Sequence, residues 1–163
     1  MLEQNNENTQ QKLENEINTI LSGEARRHAL DFVSYLRTSG MIPLSDNPNR
    51  FTYMGAYTCI LLFFKHPDFP CGYWGIYDCP IREYDGFPLD ENLKEFARAN
   101  VNICQGKCGC PKPRGGNQMV FGKEFEGVCA SVVAFHSPDA EAVEKVKKLM
   151  EYWKLIIADS KKK

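Results

Sequence analysis

From Phe51 to Lys65 the chain reads FTYMGAYTCILLFFK. Aromatic and branched side chains dominate the segment, a composition suited to the pleated surface of a β-strand. Its second half is apolar at consecutive positions, which predicts a central strand covered on both faces. Gly55 marks either a bulge or a break between two strands. His66-Pro67-Asp68-Phe69-Pro70 then reads as a turn. Cys71 to Cys79 (CGYWGIYDC) returns as a second strand. Alternation places Tyr73, Gly75 and Tyr77 on one face of it and Trp74 and Ile76 on the other.

Upstream, Leu13, Ile17, Ile20 and Leu21 recur at helical spacing, and Ser22-Gly23 stops that run. Ala25, Ala29, Phe32, Val33 and Leu36 form the stripe of a second helix, with Gly40 placed for a left-handed C-terminal cap. Residues 1–10 are polar and are expected to form a disordered tail. Residues 41–50 (MIPLSDNPNR) break every period and read as a loop.

Downstream, Asp90 is placed to cap a short helix carrying Leu93, Phe96 and Ala97. Val101 to Ile103, Met119 to Phe121 and Val128 to Phe135 read as strands, with a turn near Gly122 to Gly127. The last element is a long helix with Ser137 as N-cap and Pro138 as its first residue. Its apolar stripe runs from Ala142 and Val143 to Ile156 and Ile157, backed by Glu141/Lys145 and Glu144/Lys148 pairs.

Sequential strands favour antiparallel hairpins over repeated βαβ units. The expected fold is therefore α+β: a mostly antiparallel sheet of about four strands, an N-terminal helical pair and a long C-terminal helix. The 163 residues suit one domain, spanning 11–160, with a cysteine-rich loop at 104–116. Apolar content of 43% and charged content of 25% are ordinary for a globular chain.

Twenty basic residues stand against 21 acidic ones, so no global field selects nucleic acid or an anionic membrane. The longest apolar run, Cys59 to Phe64, is far short of the about 20 residues a bilayer requires. The first residues lack the basic start and apolar core of a signal peptide. A cytoplasmic location is expected, where clustered cysteines signal metal binding or redox chemistry and not disulfides.

That cluster is CQGKCGCPKPRGG, from Cys104 to Gly116. Cys104, Cys108 and Cys110 lie close together, and the intervening glycines let their sulfurs turn toward one centre. Lys107, Lys112 and Arg114 favour the thiolate. A structural zinc ion wants four such ligands in a tetrahedron. Cys129, on a returning strand, is the favoured fourth, ahead of Cys79, Cys71 and His136. An iron–sulfur cluster takes the same ligands. The alternative to a metal site is ordinary reduced cysteines in a loop, and Cys59 reads as a core residue.

Other residues carry weaker signals. His28 reads as a surface residue of a helix. His66 and His136 each end a strand before a proline-containing turn, as ligands, acid/base groups or plain strand ends. Tyr53, Tyr57, Tyr73, Trp74 and Tyr77 either line a pocket for a flat organic ligand or cover the sheet in cross-strand pairs. The basic run around Lys107 has no interleaved aromatic, which counts against nucleic acid. No phosphate loop, nucleophile elbow or HExxH helix is present, and no catalytic constellation is assigned. The leading functional expectation is thus a metal-binding, zinc-holding accessory or regulatory domain. Its alternatives are thiol redox chemistry at the Cys104/Cys108/Cys110 cluster and a small-molecule sensor built on the tyrosine-rich sheet.

Overall fold

The computed structural model describes residues 2–77, 83, 85–106 and 115–163, with side chains from Glu7 onward. Helix α1 (Leu2–Ile20) is followed by α2 (Gly23–Thr38), then by strands β1 (Ile42–Pro43), β2 (Arg50–Tyr53), β3 (Ala56–His66) and β4 (Phe69–Tyr77). Helix α3 (Glu91–Ala99) precedes β5 (Val101–Ile103), β6 (Gly116–Val120) and β7 (Lys123–His136), and α4 (Ala140–Ser160) completes the chain. The α+β expectation holds, and the sheet is antiparallel throughout its described pairs. Among the described residues it has seven strands, ordered β1-β2-β3-β4-β7-β5 with β6 also on β7. The expected count of about four was too low: two-residue β1 lies in the segment read as loop, and the Phe51 to Lys65 stretch is divided into β2 and β3.

Local chemistry explains most boundaries. Helix α1 starts at Leu2, upstream of the apolar stripe that begins at Leu13. Its polar first half carries side-chain bonds one turn apart, such as Gln10 to Glu14 at 2.6 Å. Gly55 divides two strands, with Met54 and Gly55 both at positive φ in the turn between β2 and β3. The β6–β7 turn is confined to Phe121 and Gly122, shorter than the Gly122 to Gly127 span the sequence suggests. Asp90 caps α3 as expected, accepting the Leu93 N–H at 3.0 Å. At α4 the cap is Asp139, not Ser137, because its carboxylate accepts the Ala142 N–H at 2.9 Å. Ser137 sits at φ 42° and sends its N–H to the Trp74 carbonyl at 2.7 Å.

All four helices pack on one face of the sheet. The core joins Leu61 and Phe63 of β3, Trp74 and Ile76 of β4, and Val133 and Phe135 of β7 to side chains of every helix. Phe32 of α2 lies 6.5 Å from Trp74, and Phe96 of α3 stacks on Phe135 at 5.1 Å. Tyr35 ties α2 to α4 by donating to the Lys147 carbonyl and the Glu151 carboxylate. The expectation that β3 is covered on both faces is met on this side only: Leu62 and Phe64 point the other way and are exposed.

A one-sided core has a measurable consequence. Trp74→Ala removes a fully buried ring and should lower unfolding stability by about 3–5 kcal/mol in urea titrations. Leu62→Ser, on the other face, should cost less than about 1 kcal/mol. Equal losses would contradict burial on one face.

Candidate functional site

The face opposite the helices carries the richest chemistry among the described residues. Sheet register sets Phe64 beside Tyr73, Leu62 beside Gly75, and Gly75 beside His136; Ile60, Tyr77 and Ala134 form the next row. Tyr73 and Tyr77 are four residues apart on one strand, yet their hydroxyls meet at 2.6 Å. They do so by leaning over Gly75. A Cβ at that position would lie 2.7 Å from the Tyr77 ring and 2.8 Å from the Tyr73 hydroxyl. Any larger residue would wedge the pair apart.

The Tyr73 hydroxyl also lies 2.5 Å from Nδ1 of His136, and Tyr77 reaches the same nitrogen at 3.4 Å. So short a separation fits an O–H donor better than a ring N–H donor. The chain of donation is then Tyr77 to Tyr73 to His136 Nδ1, which leaves the proton of neutral His136 on Nε2. Burial, then the bond with Tyr77, holds the Tyr73 hydroxyl well above its ordinary pKa. Burial lowers that of His136. Both shifts favour the neutral forms, so the cluster is an uncharged hydrogen-bonding array at neutral pH.

An aromatic surface surrounds this array. Phe64 stacks on Tyr73 with centroids 4.3 Å apart, and Phe69 meets the Tyr73 edge at 5.2 Å. Tyr73 itself is only 4% exposed, whereas Phe64 is 42% and Leu62 37% exposed. The tyrosine-rich segments thus divide. Trp74 belongs to the core, Tyr57 lies under the Arg50 guanidinium, and Tyr53 under the Lys154 ammonium. Only Tyr73 and Tyr77 join His136. Alternation within β4 was readable from sequence, but the register that brings His136 alongside was not.

The cysteines fall in two groups. Cys108 and Cys110, with Lys107, Lys112 and Arg114, lie outside the described residues, as does Cys79. Cys104 and Cys129 are described, and both stand at the neck of the 104–116 segment. The Cys104 N–H donates to the Gly127 carbonyl at 2.7 Å. At the other end, Gly115 has φ 62° and lies so close to Gly127 and Val128 that a Cβ would meet their backbone at 2.5 Å. Ile103 and Gly116 pair with Val128 from its two sides. Buried Cys129 follows Val128 directly in β7.

The described residues do not by themselves complete a metal centre: no group of three or more His, Cys, Asp or Glu converges among them. Two of the alternative fourth ligands, His136 and Cys71, are also described. His136 lies on the order of 20 Å from Cys129 along β7. Cys71 lies at the α1–α2 link, where its carbonyl accepts the Ser22 N–H. Cys59 is fully buried, as expected of a core residue. His28 is not a surface residue, since its side chain is 14% exposed and lies 3.5 Å from Glu24. No helix among the described residues is long and apolar enough to cross a membrane. No protein-family model matches the chain, and no curated protein or solved structure shows significant similarity to it.

His136 supplies a pH test. Its folded-state pKa is depressed, so between that value and the ordinary one near 6.5 the unfolded chain binds more protons. The stability it contributes should be complete above about pH 6.5 and be lost as pH falls through the folded midpoint. Histidine NMR titration should place that midpoint below the ordinary value. Tyr73→Phe, which removes the proton donated to neutral Nδ1, should move it upward; an unmoved midpoint would show that the bond does not hold the imidazole.

Proposed function

We propose that this protein is a binding domain for a planar organic small molecule, held on the sheet face opposite the helices. The observation supporting this reading is the uncharged Tyr77–Tyr73–His136 array set beside exposed Leu62 and Phe64. Flat apolar surface with a few fixed polar groups is what such ligands require. The exposed Phe64 ring gives contact area at low entropic cost, because its stack on buried Tyr73 already holds it in place. His136 Nε2–H offers a directed donor to a carbonyl or ring nitrogen.

Recognition suits this array better than proton transfer. A general acid and base work best with pKa values near the operating pH. Here the tyrosine is raised and the histidine lowered, which widens the gap between them and disfavours passing a proton. A chain of neutral donors and acceptors positions a ligand without needing to ionise.

Protein-observed NMR with a set of neutral planar heteroaromatic carbonyl compounds tests the reading. Binders should perturb Leu62, Phe64, Tyr73, Tyr77 and His136 together and saturate. His136→Ala should weaken them about tenfold, the worth of one well-made hydrogen bond. Gly75→Ala should abolish binding by splitting the tyrosines. Absence of any saturating compound, or perturbations unaltered in both variants, would reject it.

A second reading rests on the neck of the cysteine segment: a thiolate metal site formed by Cys104, Cys108, Cys110 and Cys129. Its support is that both described ends of the segment converge on Gly127 and Val128, next to Cys129. Zinc there would hold the segment across β7 in a structural or regulatory role; iron with acid-labile sulfide would indicate a redox cluster. Elemental analysis of anaerobically purified protein should give about one zinc per chain, lost in Cys104→Ser/Cys129→Ser. Metal-free protein would eliminate this reading and leave thiol redox chemistry at the same cysteines to be tested by alkylation rates.

A further inference from the structure

We infer that a second site, adjoining the tyrosine array through Phe69 but with its own polar groups, binds the oxyanion of a small phosphate ester at the β3–β4 turn. A groove of about 710 Å³ lies there between the α1–α2 link and the turn, lined among others by Ser22, Arg26, Lys65, His66 and Phe69. Three of its lining side chains are basic, and none is a carboxylate.

The disposition of nearby acids sharpens the asymmetry. Glu24, the carboxylate closest in sequence to Arg26, is engaged with Arg27 and His28. Neither Arg26 nor Lys65 has an ion-pair partner among the described residues, whereas Lys94, Arg98, Lys145, Lys147 and Lys154 each meet a carboxylate. The Asp68 carboxylate, next in sequence to the lining residue Pro67, lies 3.6 Å from His66 Nδ1. That nitrogen also accepts the Asp68 backbone N–H at 3.2 Å. Whether His66 is neutral or charged, Nε2 therefore keeps its proton as a donor. The groove thus offers a guanidinium, an ammonium, an imidazole N–H and the Ser22 hydroxyl, which makes no capping bond. This donor set suits phosphate, whose oxygens accept several charge-assisted bonds at once.

Its walls are fixed in advance. The Ser22 N–H bonds the Cys71 carbonyl at 2.9 Å, tying the helix link to β4. His66 and Phe69 close the turn as a cross-strand pair with rings 5.8 Å apart. Ile20, Leu21 and Phe69 add apolar wall beside the cations, so the site fits an ester with an apolar group better than a bare inorganic ion.

The test is an NMR titration with phenyl phosphate, inorganic phosphate and, at matched ionic strength, sodium chloride. Phenyl phosphate should shift Ser22, Arg26, Lys65 and His66 with saturation, and inorganic phosphate should shift the same residues more weakly. Arg26→Gln/Lys65→Gln should weaken phenyl phosphate at least tenfold, with the Tyr73 and His136 signals unmoved as evidence of an intact fold. Equal, non-saturating shifts with chloride would reduce the groove to screened surface charge and overturn the site. Undiminished binding to the double variant would do the same. Because neither residue touches the tyrosine array, failure here leaves the planar-ligand reading standing, and the reverse.

Discussion

Burial of one face of the β3–β4–β7 sheet under all four helices is the constraint from which the rest of the molecule follows. Successive strand residues point to opposite sides, so each residue committed to the core commits its neighbour to the other face. Trp74 and Ile76 insert among the helices, and this fixes Tyr73, Gly75 and Tyr77 outward. The same rule applied to β7 sends Val133 and Phe135 inward and His136 outward. A one-residue slip in either strand would exchange core for site, at the cost of burying a histidine and exposing a tryptophan. Packing energy on one side thus guards the arrangement on the other.

The outward face handles its polar atoms without helical cover. A tyrosine as buried as Tyr73 needs a partner for its hydroxyl, since an unmade bond in such a place costs about 1–3 kcal/mol. Tyr77 and His136 provide it, and the absence of a side chain at Gly75 makes the approach possible. Stacked Phe64 then screens the same hydroxyl group from water. A weakly hydrated, internally satisfied cluster results, with its remaining donor and its apolar rim turned outward.

Much of this was legible from sequence and some was not, for physical reasons. The inward stripe of α4, the Asp90 cap and the alternation of β4 depend on local chemistry, and local chemistry is written in neighbouring residues. The count of strands fell short because two-residue β1, in a segment whose prolines and asparagines read as loop, exists only through its pairing with β2. The N-cap of α4 moved from Ser137 to Asp139 because Ser137 is recruited by the Trp74 carbonyl, a contact that only the folded sheet creates. His136 was legible as a strand-end histidine and as an alternative metal ligand, not as the partner of Tyr73. Its importance lies in a register that no window of sequence contains. The cysteine segment was conspicuous from composition alone, yet Cys108 and Cys110 lie outside the described residues, so composition remains the chief argument for them.

Strand β7 connects these parts and also keeps them apart. Its C-terminal end pairs with β4 and carries His136, its N-terminal half pairs with β6, and β5 pairs with it at Val128 and Val133. The register of β5 is interrupted between Val101 and Ile103, and that of β6 between Gly116 and Gln118, so the ladder around Val128 is held by few regular bonds. The β3–β4 ladder, by contrast, runs from Ile60 to Phe64 without a break. Opening free energies follow such differences in local bonding and burial. The neck around Cys104 and Cys129 is therefore the weaker end of the sheet and the one that a cross-link among thiolates would stabilise most. The tyrosine array stands on the stronger end, on the order of 20 Å away, where loosening of the neck need not reach it.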